Sequence, residues 1–172
     1  MESSLATIQA VLTTTAPRWL SLTEILPADL LTRRPAPGEW SAHECLQHLC
    51  DTERWAFPVR MRAFLAGQAF PAFDPDTEGS VAAEHSPHDL ATEFAERRAE
   101  SLAALATITA ADLGRTARHS ELGEVTLGQM LNEWAAHDLM HTVQAERALM
   151  QPFIPATGPW RSYFRDHDVA GG

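Results

Sequence analysis

Two short boxes constrain the fold more than anything else in this sequence. Ser41–Glu44 and Thr126–Gln129 both read S/T-x-x-E/Q, and each heads a run of roughly twenty-five residues with apolar positions at three-to-four spacing. Such a box satisfies backbone N–H groups that a helix start leaves open, so each marks a helix N-terminus. The spacing predicts helices over 41–65, stopping at Gly67, and over 126–150, ended by Pro152. Two further helices follow from the same reasoning. One covers 3–26, with Leu5, Ile8, Val11 and Leu12 on one face; Pro17 within it predicts a kink or a break. The other opens with Ser86 as N-cap and Pro87 at the first helical position, and carries Leu90, Phe94, Leu102 and Leu105 toward residue 108. Pro58 is expected to bend the second helix.

No strand pattern competes with these four. A short helical turn and a proline-rich loop precede Ser41, and the connector over 109–125 is rich in turn signals. Residues 67–86 form the longest irregular connection, of a length more often functional than idle. Long amphipathic helices bury their stripes against one another, so the expected fold is all-α: a single four-helix-bundle domain over 1–172, with a long connection between helices two and three.

Composition narrows the function. The formal net charge of −10 opposes a surface that grips nucleic acid, which needs clustered cations. The N-terminus has no basic run ahead of an apolar core, and no apolar stretch approaches the roughly 20 residues that span a bilayer. Cys45 and Cys50 point about 140° apart on one helix, a poor arrangement for a disulfide. Reduced thiols in a cytoplasmic protein are the expectation.

The histidines carry the chemistry. His43 and His48 are five apart, so the stretch "HECLQH" misses the i, i+4 pairing of the zinc-protease helix by one residue. His48 shares an arc with Cys45, Leu49, Thr52 and Ala56, and taken alone it reads as a core histidine bonded to a neighbour. His137 and His141 stand at i and i+4, adjacent on one helical face among Met130, Trp134, Ala145 and Ala148. Two buried imidazoles without a partner are hard to satisfy, and a divalent ion resolves this by taking their lone pairs. His48, His137 and His141 together give a three-histidine site with an open position. Asp51 and Asp138, each three residues from a candidate ligand, suit carboxylates that hold the far ring nitrogens, or else lie on solvated surface. Cys45 reads as packing ahead of nucleophile.

The series "RPAPGEWSAHECLQHLCDTE", then "FDPD", then "GEVTLGQMLNEWAAHDLMHTVQAERAL" resembles the DinB-like (YfiT-type) family of metal-dependent enzymes, over about residues 5–165. The resemblance implies a four-helix bundle, often a homodimer, with a divalent ion, Zn²⁺ or Ni²⁺, held by His48, His137 and His141. Related members transfer low-molecular-weight thiols such as bacillithiol or mycothiol. The implied activity is thiol S-transfer or metal-dependent hydrolysis of a small molecule, the ion making a bound water or thiol more acidic; a metal-binding stress-response module without catalysis is the alternative. Under that reading Gln144 orients substrate or is a surface amide, and Arg60 and Arg62 meet the carboxylates of a thiol cofactor or are merely solvated.

Overall fold

The computed structural model describes residues 5–70, 72 and 85–169. Helix α1 runs unbroken from Leu5 to Ile25 with Pro17 inside it. The expected break is absent because Pro17 and Thr13 both lie on the exposed side. There the Thr13 carbonyl, deprived of its helical donor, is free to be hydrated. Ile8, Leu12, Thr15, Ala16 and Trp19 are buried and hold the helix against the bundle.

A short α2 (Ala28–Thr32) leads to α3 (Ala42–Trp55). The helix expected over 41–65 is in fact two. It ends at Ala56, with φ −110° and ψ −82°, and restarts as α4 (Phe57–Ala66). The break falls two residues ahead of Pro58, so the proline sits in the first turn of α4, where its missing N–H costs nothing and no earlier turn meets its ring. Gly67 closes α4 in the left-handed conformation, φ 64°. The connection read at 67–86, with its "FDPD" stretch, falls largely outside the described residues.

Ser86 caps α5 (Pro87–Leu105) by accepting from the Asp89 N–H, as its sequence predicts. The turn-rich connector holds what sequence reading missed: a hairpin of β1 (Thr116–His119) and β2 (Gly123–Thr126), paired antiparallel from Thr116 opposite Thr126 to His119 opposite Gly123. Strands of four residues are too short to show alternation, and Gly123, at φ 78°, supplies the turn. Phe70 extends this sheet, its N–H donating to Arg118 O at 3.1 Å. The longest helix, α6 (Leu127–Met150), begins at the Thr126–Gln129 capping box, and a 3-10 segment follows over Ile154–Phe164.

The bundle comprises α1, α3 with α4, α5, and α6; α1 and α3 each pack on both α5 and α6. Its interior has two apolar clusters. One gathers Leu12, Phe57, Phe64, Leu105, Leu131 and Trp134; the other gathers Trp19, Leu46, Leu49, Leu90, Phe94 and Ala145. Between them, on α3, α5 and α6, lies a charged layer. The Arg98 guanidinium, 1% exposed, donates from Nε to Glu53 Oε1 at 2.7 Å, from Nη1 and Nη2 to Asp138 at 2.6 and 3.1 Å, and from Nη1 to Leu12 O at 2.9 Å. Ser101 Oγ and Trp134 Nε1 complete the shell around Glu53. Burial pushes the Glu53 carboxyl up, and Arg98 opposes that rise only in part.

Cys45 and Cys50 are free and buried in the second cluster. Burial pushes both thiols up to about 12, the reverse of what a nucleophile needs. No described helix is long and apolar enough to cross a membrane.

Candidate metal centre

The start of α3 is fixed by its capping box. Glu44 N–H donates to Ser41 Oγ at 3.2 Å, and Glu44 Oε2 accepts from Ser41 N–H at 2.8 Å. Arg34 pairs with the same carboxylate. This start turns Cys45 and Leu49 into the core and aims His48 at α6. There the corresponding box, with Gln129 N–H on Thr126 Oγ1 at 3.1 Å and Thr126 N–H on Gln129 Oε1 at 2.8 Å, sets the phase that presents His137 and His141 on one face.

The three rings converge. His48 Nε2 and His137 Nε2 stand 3.0 Å apart, and one ligand nitrogen from each of the three histidines lies within 4.8 Å of the others. Trp40 stacks on His141 at 5.7 Å between ring centres and tilts against His48 at 5.3 Å; the edge of Phe57 meets His137 at 5.2 Å. Aromatic walls therefore enclose the cluster on two sides.

Burial, first of all, keeps these rings neutral. It lowers His48 from the ordinary 6.5 to about 4, with His141 adding to the fall and Asp51 opposing it. It lowers His137 from 6.5 to about 3, helped by His141, His48, Arg60 and Arg98. His141 is lowered too, with Gln144 and Asp138 pulling the other way. The unfolded chain thus binds protons near 6.5 that the folded protein refuses. Stability from these rings is present above that value and lost as pH falls from 6.5 through about 4 toward about 3. Thermal melts of metal-free protein across that range should show Tm falling with pH, and a variant with Gln at both 48 and 137 should fall less steeply. Equal slopes would contradict the assignment.

The residues behind the rings differ in part from expectation. Gln144 Oε1 lies 2.9 Å from His141 Nδ1. An oxygen only accepts, so Nδ1 carries the proton and Nε2 keeps its lone pair for the centre. Gln144 thus holds a ring. Asp51, 3% exposed, accepts from Gln47 Nε2 at 3.1 and 3.2 Å, has Arg54 Nη1 3.6 Å from Oδ1, and lies close enough to His48 to raise its basicity. Asp138, 1% exposed, gives its carboxylate to Arg98 and not to an imidazole. Neither aspartate is solvated. His137 Nδ1 is buried without a hydrogen-bond partner among the described residues. His43, half-buried, stays outside the cluster.

Sequence reasoning passed over Trp40, Phe57, and the Arg98 and Glu53 that take up Asp138 and Trp134. For Arg98 a signal existed: Leu90, Phe94 and Leu105 define the buried stripe of α5, and a charge at 98 stands in that stripe.

The donor set suits a divalent cation. Two nitrogens 3.0 Å apart can each stand about 2 Å from one shared ion. All three donors are neutral imidazoles, so an ion here keeps its full charge. A hollow of about 180 Å³ opens beside it, lined by His48, Thr52, Ala56, Phe57, Arg60, Glu133 and His137.

Comparison with known proteins agrees with this architecture. Residues 12–145 match the family model described as the DinB superfamily. Among solved structures, YfiT from Bacillus subtilis superposes with a TM-score of 0.75 at 18% identity, covering 89% of this chain and 91% of that one. That protein is described as "a probable metal-dependent hydrolase with an unusual four-helix bundle topology". The comparison with curated proteins gives no match.

Proposed function

Because the chain belongs to the DinB superfamily, we propose that it is a metal-dependent enzyme whose divalent ion, Zn²⁺ or Ni²⁺, is held by His48, His137 and His141. The observation that carries this reading is the convergence of three neutral imidazoles from two helices on one point. A bound ion would supply Lewis acidity, making a water or thiol that it holds more acidic. The chain's own residues do the rest. Gln144 fixes the His141 tautomer, Asp51 raises the basicity of His48, and Trp40 and Phe57 pack against the rings and hold their orientation. The reaction is hydrolysis of a small molecule or transfer of a low-molecular-weight thiol such as bacillithiol, in a cytoplasmic homodimer; the hydrolytic branch is what the description of YfiT supports. Asp138 serves the fold through Arg98.

Two assays test this together: hydrolysis of p-nitrophenyl acetate, and addition of small thiols to a bimane electrophile. Zn²⁺- or Ni²⁺-loaded protein should exceed both chelator-treated protein and His137→Ala in at least one of them. Identical rates for all three proteins in both assays would leave a metal-binding module without catalysis.

A further inference from the structure

Beside the histidines, the hollow is lined by a cation whose donors are only partly engaged among the described residues. Arg60, on α4, has a side chain only 11% exposed, and its guanidinium lies over the rings of Phe57 at 5.7 Å and Phe70 at 5.8 Å. Its acceptor is Glu133, reached from Nη1 alone at 3.3 and 3.4 Å, and the Glu133 side chain is 55% exposed. Such a pair is long and solvent-screened. The other edge of the guanidinium, Nε with Nη2, has no acceptor among the described residues. That edge is the one carboxylates take with two parallel bonds. Arg60 also lies near enough to His137 to depress its basicity. In a chain with a net charge of −10, a sheltered arginine held on aromatic faces, with three of its five donors free of any acceptor among the described residues, is a built anion receptor.

Resting on the metal reading above, we infer that Arg60 receives a carboxylate of the substrate in the hollow lined by His48 and His137, so that the enzyme takes anionic small molecules. Glu133 occupies the Nη1 corner and competes weakly for the same charge.

The test uses Co²⁺-loaded protein and two probes, 3-mercaptopropionate and its neutral amide, followed by the thiolate-to-cobalt charge-transfer absorbance. Wild type should bind the carboxylate about tenfold or more tighter than the amide, the range expected for a charge-assisted pair. Arg60→Gln should bring the two affinities together while leaving the amide's affinity and the cobalt spectrum unchanged, which shows the site intact. Glu133→Gln should widen the preference, since a competing carboxylate is gone. Equal affinities in wild type, or a preference that survives Arg60→Gln or disappears in Glu133→Gln, would overturn the Arg60 inference and leave the metal reading standing. If neither thiol perturbs the spectrum of the cobalt-loaded protein, the Arg60 inference falls, while the three-histidine site that the spectrum itself reports stands.

Discussion

Purified His137→Ala protein is expected to carry no stoichiometric divalent metal, while its helical content stays that of wild type. The ring it loses stands 3.0 Å from His48 Nε2 and shares a face with His141, so only two of the three donors remain, one on each helix. Loss of a residue that merely supports a ligand costs roughly 10–100-fold in metal affinity, and loss of the ligand itself should exceed that. Stability reports the same event. Binding at a thousandfold excess over Kd stabilises by about 4 kcal/mol, which for a chain of this size raises Tm by about 10 °C. Zn²⁺ should therefore raise the wild-type Tm by about that much and leave His137→Ala unmoved. The fold itself should survive, because the apolar clusters on either side include Trp134, Leu131, Leu46 and Phe94, none of which depends on an ion. Elemental analysis together with melting curves decides the matter. A variant that retains one metal per chain would remove His137 from the centre.

The second large effect belongs to the charged layer. Arg98→Met should destabilise the metal-free protein by roughly 3–5 kcal/mol, since it leaves Glu53 and Asp138 buried without their shared cation. The corresponding fall in Tm is about 10 °C. Replacing the whole group, with Arg98→Met, Glu53→Leu and Asp138→Leu together, should recover most of the loss, because the expense lies in the stranded charges and not in the missing attraction. Chemical denaturation of both variants checks this. A single variant as stable as wild type, or a triple variant worse than the single, would contradict it.

The two outcomes mark what the chain disclosed in advance. Capping boxes at Ser41 and Thr126 set helix phase locally, and phase decides which way a side chain leaves the helix. Spacing therefore put His137 and His141 on one face of α6 and turned His48 inward on α3; that the two helices bring all three to one height is a tertiary fact. What stands behind the rings is tertiary too. Gln144 is one turn from His141, and whether its amide turns to the ring or to the solvent is decided by neighbours, not by spacing. Arg98 reaches Glu53 and Asp138 across forty-five and forty residues of chain, a separation no periodicity encodes. Proline gave a correct warning at 58 and a misleading one at 17. In the first case the helix stops at Ala56 and restarts at Phe57, which puts the proline in a first turn; in the second the proline and the carbonyl it deprives both face water.

The charged layer has one more consequence, and it concerns how the helices are allowed to align. Apolar stripes alone tolerate sliding, since a leucine moved by one turn finds another leucine. A shift of α6 by one turn, about 5.4 Å, would pull Asp138 off Arg98 and at the same time carry His137 and His141 past His48. Electrostatics at mid-height thus selects the single longitudinal setting in which the imidazoles meet, and it does so before any ion arrives.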